Sequence, residues 1–238
     1  MTLTVDIRKA LLRFELRARF ACPAGKLTAM VGPSGAGKTS LIRLIAGLDL
    51  PDRGTISLDG TVWTDSAKGV NLPVFRRDIG MVFQEYTLFP HMTVRRNILF
   101  GAPEGFDPEP LLDTFRIRHL ADRKPAGISG GERQRAAFCQ ALARRPRLLL
   151  LDEPFSALDQ ETRAFLCGML AELKGTLNIP ILHVTHDLRE AKLLGDDVVA
   201  LEEGRISTEW FRRQCHTGDA PSASRTSTTL SPGESACV

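Results

Sequence analysis

Apolar and polar residues alternate through the first 20 positions, with Leu3, Val5 and Ile7 in one phase and Phe14, Leu16, Ala18 and Phe20 in another. A period of two puts successive side chains on opposite faces, which predicts strands of a half-exposed antiparallel sheet. Thr55 to Trp63 is a second element of this kind, and its Asp59-Gly60 pair suits a tight turn. Three apolar runs, at residues 27–31, 148–151 and 181–185, predict buried strands instead. Each precedes a helix, as where Leu41, Ile42, Leu44, Ile45 and Leu48 recur at helical spacing after the first run. A parallel sheet flanked by helices is the natural packing for that order, so the fold class is α/β.

The character changes between about Thr87 and Gly127, where Pro103, Gly105, Pro108 and Pro110 cluster and short helical stretches such as Leu111 to Leu120 follow. This predicts a helical subdomain, at about 87–145, inserted into a domain covering 1–213 that starts with an antiparallel β subdomain. From Gln214 onward Ser, Thr, Pro and Gly dominate, and the expectation for 214–238 is a disordered tail.

The chain has 238 residues, enough to bury a real core, and 43% hydrophobic with 25% charged residues is ordinary for a soluble globular protein. The leucine run at Leu148 to Leu151 is far short of the ~20 residues that cross a bilayer. Arg8, Arg13, Glu15 and Arg17 interrupt any signal-peptide core. A net charge of +3 does not argue for a nucleic-acid partner. The five cysteines are scattered without a C-x-x-C pair, and read as free thiols in a reducing compartment.

Against this background Gly32, Pro33, Ser34, Gly35, Ala36, Gly37, Lys38, Thr39 and Ser40 complete the phosphate-loop pattern G-x-x-x-x-G-K-[ST] between a strand and a helix. The glycines let the backbone approach phosphate oxygens, and the amides at the helix start offer an anion seat. Lys38 would reach the β- and γ-phosphates of a nucleoside triphosphate, and Thr39 would offer its hydroxyl to Mg²⁺. The leucine strand ends in Asp152 and Glu153, at the edge where parallel sheets bind ligands. There Asp152 would hold Mg²⁺ and Glu153 would act as general base, although an acidic helix cap is the plain alternative. Ser129, Gly130, Gly131 and Glu132 open a helix running through Arg145. Ser129 and Glu132 fit a capping box, whereas two consecutive glycines favour a seated phosphate.

Together these motifs resemble the ATP-binding cassette ATPases over roughly residues 1–210. Gly32 to Thr39 matches Walker A and Leu148 to Asp152 matches Walker B, with Glu153 as catalytic glutamate. Ser129 to Glu132 matches the signature, with Ile128 in place of the usual Leu and Glu132 in place of the usual Gln. Gln84 matches the Q-loop glutamine that senses Mg²⁺ and water, Ser156 to Asp159 the D-loop, and His186 the switch histidine, while His183 reads as a packing residue. The resemblance implies a P-loop NTPase core and an aromatic residue stacked on adenine, for which Phe14 is the candidate. It further implies a head-to-tail dimer in which Ser129 and Gly131 of a second copy close each ATP site.

Trp63 to Pro73, Arg76 to Gln84 and Leu88 to Val94 are similar to the molybdate and sulfate importer ATPases. That likeness implies a place on the cytoplasmic face of the inner membrane, peripheral and held by integral membrane permease subunits that a substrate-binding protein feeds. Glu85 to Arg96 would then line the groove for a permease helix, with Tyr86, Leu88, Phe89 and Met92 as anchors. Molybdate ATPases usually continue into a regulatory β-domain where this sequence has a polar tail, so importers of thiamine, iron or sulfate stay open as alternatives. A soluble, non-transport cassette is disfavoured: about 90 residues separate Thr39 from Ser129, with no sustained heptads.

Overall fold

The computed structural model describes residues 1–84 and 87–217. The first 20 residues form an antiparallel pair, β1 (Thr2–Ala10) and β2 (Glu15–Pro23), in which Val5 faces Phe20 and Ile7 faces Ala18. Strand β3 (Leu27–Val31) is buried throughout and leads into helix α1 (Lys38–Ala46). Strands β4 (Arg53–Leu58), β5 (Thr61–Asp65) and β6 (Val70–Asn71) complete the antiparallel part. Strand β7 (Ile79–Val82) then returns to the parallel sheet.

Between β7 and the leucine strand lie α2 (Val94–Leu99), α3 (Glu109–Thr114) and α4 (Gly130–Ala143), joined by short 3₁₀ turns. The leucine strand is β8 (Leu148–Asp152), followed by α5 (Gln160–Leu177), β9 (Ile181–Val184), α6 (Leu188–Leu194) and β10 (Asp197–Glu202). A two-residue strand β11 (Arg205–Ile206) and helix α7 (Thr208–Thr217) end the described chain.

Among the described residues the antiparallel and parallel strands join in one sheet of 11, in the order β6-β5-β4-β1-β2-β11-β10-β3-β9-β8-β7. The seam is slight: β10 pairs parallel with β3, turns antiparallel into β11, and β11 touches β2 through Arg205 and Arg17. On β8, Leu149 and Leu151 enter the core shared with the inserted helices, while Leu148 and Leu150 enter the core beneath α1 and the antiparallel strands. A strand with two apolar faces therefore binds both halves of the molecule.

Three expected boundaries move. The helix expected over Leu111 to Leu120 stops at Thr114, because Arg116 takes a left-handed turn (φ 55°) before a 3₁₀ turn at Arg118–Leu120. Helix α4 ends at Ala143 and not Arg145, which is itself left-handed (φ 51°). Residues 214–217, placed in the expected tail, continue α7 to Thr217; the expectation of disorder for 218–238 falls outside the described residues.

Candidate nucleotide site

Beyond Val31 the chain turns through the glycine loop into α1. A Cβ on Gly32 would lie 2.1 Å from the Leu201 carbonyl oxygen of β10, so only glycine fits there. Gly37 caps α1 with a left-handed φ of 102° and supplies no side-chain acceptor, which leaves the first amides of the helix for an anion. Lys38 is buried and folds back, its Nζ donating to the carbonyls of Gly32 (2.8 Å) and Pro33 (3.0 Å). Burial lowers its pKa, against the opposing pull of the Glu153 and Asp152 carboxylates.

The acids arrive at the carboxyl end of β8. Asp152 is buried and accepts a hydrogen bond from Thr39 Oγ1 at 3.3 Å. Burial lifts its carboxyl above the ordinary range; Thr39 and Lys38 oppose that lift and the Glu153 charge adds to it. Glu153 sits one residue past the strand in a left-handed conformation (φ 47°), which costs a non-glycine residue roughly 1–2 kcal/mol. Its amide donates to the Val184 carbonyl (2.9 Å), and its Oε2 lies 3.0 Å from Nδ1 of the exposed His186 ring. Residues 33 apart in sequence thus meet because β8 and β9 are paired neighbours.

Ser34, Gly35, Gly37, Lys38, Thr39, Ser40, Gln84 and Glu153 border one cleft of about 610 Å³. Ala36 is buried and does not border the cleft, and its carbonyl accepts from the Gly204 amide. Phe14 flanks the cleft, half-buried, close to where Gly37 and Gly204 lack side chains. Leu11, Leu12 and Arg13 also border it, and the sequence reading missed them. Their signal was a pair of leucines at a hairpin tip, where turn residues are ordinarily polar.

A larger hollow of about 890 Å³ shares Phe14 but is walled by Glu15, Glu202, Glu203 and Glu209, and its Arg213 is paired with Glu202. That mainly acidic wall, with Arg205 and the paired Arg213 as its basic groups, suits a polyphosphate less well than the α1 amides and Lys38 would.

Ser129, Gly130, Gly131 and Glu132 do not border the cleft. Within one chain they form a complete capping box: Ser129 N donates to Glu132 Oε2 (2.7 Å), and Glu132 N donates to Ser129 Oγ (3.3 Å). The first of these bonds holds the Glu132 carboxyl below its ordinary range. His183 is fully buried beside Phe155, in keeping with a packing role.

Among the described residues no cluster of three or more His, Cys, Asp or Glu could hold a metal by itself. Thr39 and Asp152 still fit a magnesium ion, which binds through one or two protein oxygens and completes its shell with water and phosphate. A cation would also relieve the buried Asp152 beside Glu153.

A family model described as ABC transporter matches residues 17–156. The molybdenum import ATP-binding protein ModC of Mesorhizobium japonicum is 44% identical over 212 residues, 87% of this chain and 57% of the relative. Its counterpart in Rhizobium etli is 44% identical over 214 residues, 87% of this chain and 59% of the relative. The chain therefore spans a little over half the length of these curated relatives. A dimeric ATP-binding cassette in a post-hydrolysis state bound to ADP and Pi superposes with a TM-score of 0.73 at 27% identity, covering 87% of this chain and 97% of that one. CbiO1 from Clostridium perfringens, part of the ABC transporter complex cbiONQ, gives 0.75 at 27% identity, covering 90% and 91%.

Proposed function

The chain belongs to the ABC transporter family, and on that premise we propose that it is the ATP-hydrolysing subunit of an importer for molybdate or a related oxyanion. The observation that carries the reading is the meeting of Glu153 with His186 beside the phosphate loop. Likeness to two ModC proteins at 44% identity favours molybdate as the transported solute.

The ATP phosphates rest on the α1 amides, with Lys38 moving from the Gly32 and Pro33 carbonyls to the β- and γ-oxygens. Thr39 and Asp152 would hold Mg²⁺, which neutralises charge on the phosphates when bound. Glu153 takes a proton from the attacking water as the water oxygen bonds to the γ-phosphorus and ADP leaves. His186 orients Glu153 and the γ-phosphate, Gln84 faces the same cleft, and Phe14 stacks on adenine.

One chain leaves the site open. We assign Ser129, Gly130, Gly131 and Glu132 to the ATP of a second, head-to-tail copy, a reading supported by the dimeric cassette of the same fold. The surface for a permease lies elsewhere. Phe75, Phe83, Phe89 and Phe100 line an apolar groove of about 430 Å³, and Phe75 is 72% exposed. Such a groove suits a short amphipathic helix. Of the expected anchors, Phe89 packs on Phe100 at the groove, while Leu88 is buried in the helical core; Glu85 and Tyr86 lie outside the described residues. Among the described residues no helix is long and apolar enough to cross a membrane, so the chain would reach the cytoplasmic face through the permease and a binding protein would deliver solute to that permease.

Glu153→Gln removes the general base and keeps the shape, so ATP hydrolysis should fall by ~10²–10⁴ while ATP binding persists. Hydrolysis at the parental rate would reject the site. With permease and binding protein reconstituted, molybdate should stimulate the ATPase above sulfate or thiamine; stimulation by thiamine alone would reject the solute.

A further inference from the structure

The His186 ring is 60% exposed, and its one hydrogen bond among the described residues is to Glu153. Packing does not hold it. Both of its sequence neighbours, however, are anchored. The Thr185 amide donates to the Met30 carbonyl on β3 (3.0 Å), and its hydroxyl donates to Glu190 Oε2 (2.7 Å). The Asp187 amide donates to that same Thr185 hydroxyl (3.0 Å), and Asp187 Oδ1 caps α6 by accepting from the Arg189 amide (2.7 Å).

Glu190 is the centre of this arrangement. It is 8% exposed, and it gathers groups from β9 and α5. His183 of β9 lies 3.7 Å from Oε2, Arg163 of α5 lies 3.7 Å from Oε1, and the Cys167 thiol of α5 is close enough to feel the charge. Arg163 also reaches Asp187 at 3.7 Å. Burial raises the Glu190 pKa, but contact with His183 and the Thr185 hydroxyl outweighs it, and the carboxyl stays below its ordinary range. A buried carboxylate is costly to keep, and here it accepts from the Thr185 hydroxyl, which in turn accepts from the Asp187 amide on the other side of the exposed imidazole.

We propose that Glu190 is a positioning residue for hydrolysis: it fixes the Thr185–Asp187 turn so that His186 faces Glu153, and Arg163 ties that turn to α5. This rests on the reading of Glu153 and His186 as the hydrolytic pair. Helix α5 also carries Thr162, whose side chain fills the space a Cβ on Gly131 would need (2.8 Å). The turn bearing His186 and the segment assigned to the second nucleotide are thereby braced by neighbouring residues of one helix.

The test uses the full chain with Mg-ATP and compares Glu190→Gln, Thr185→Val and Thr185→Ser. The first two should lower kcat by about tenfold to ~10²-fold with KM for ATP unchanged, and Thr185→Ser, which keeps the hydroxyl, should restore kcat. In ¹³C-histidine NMR the His186 signal should move in the first two variants and stay in the third. Added to His186→Ala, Glu190→Gln should cost nothing further, since both act through one ring. Parental kcat with an unmoved His186 signal would overturn the proposal, as would a loss that adds fully to His186→Ala. If Glu190→Gln does not fold, the Thr185→Val and Thr185→Ser pair decides. Glu153→Gln separates the failures: if it is active, the hydrolytic reading fails; if it is inactive while Glu190→Gln is parental, only the role of Glu190 fails.

Discussion

Asp152 carries the conflict between stability and chemistry on a single side chain. Its folded carboxyl has a raised pKa, so between the unfolded value and the raised one the folded chain binds more protons than the unfolded chain. Stability then falls as pH rises through that window, and above it the full penalty of a buried charge remains. Asp152→Asn should therefore raise the thermal midpoint of the nucleotide-free chain at neutral pH, by about 2–4 °C for each kcal/mol relieved. The gain should vanish below the ordinary carboxylate range, where Asp152 is protonated in both states. The same variant should lose Mg²⁺-dependent ATP turnover. Calorimetry at pH 7 and at acid pH checks the sign, and a lower midpoint at neutral pH would contradict the account. Glu153 is strained in the same sense, held left-handed by its amide bond to Val184.

At the scale of elements, α1 is pinned at its far end by Arg77, a guanidinium 1% exposed and with no carboxylate on it among the described residues. Its nitrogens donate to the carbonyls of Ile45 (2.7 Å) and Leu72 (2.9 Å), to Thr64 Oγ1 (3.0 Å) and to Asn71 Oδ1 (2.9 Å), and it lies over the Trp63 ring. Burial pulls its pKa down to about 10, which leaves it charged at neutral pH. It ties the C-terminus of the phosphate-loop helix to the antiparallel strands. Arg77→Met strands those acceptors and should cost roughly 2–4 kcal/mol in urea unfolding; an unchanged midpoint would refute the role. Nothing in the sequence marked Arg77, because its partners lie at residues 45, 64, 71 and 72 and meet only in the fold. Glu190 was hidden for the same reason. Gly32 to Ser40 and Leu148 to Glu153 were legible because each motif is contiguous and its strand context is local. The seam at β11 was not, since two exposed residues carry no periodicity.

Across the whole molecule, the phosphate loop and Glu153 border one cleft, with Asp152 bonded to Thr39 and His186 to Glu153, and Ser129 to Glu132 do not border it. A single chain spends the Ser129 hydroxyl and amide on a capping box, so that segment is rigid before any nucleotide meets it. The central claim is that ATP joins two copies by filling the gap between one chain's loop and the other's Ser129 to Glu132. The most direct measurement is the solution mass of Glu153→Gln by light scattering, with and without Mg-ATP. The account predicts a shift from the 26.2 kDa chain to twice that mass when ATP is bound, reversed when ATP is removed. A chain that binds ATP and stays at 26.2 kDa across micromolar concentrations would contradict it.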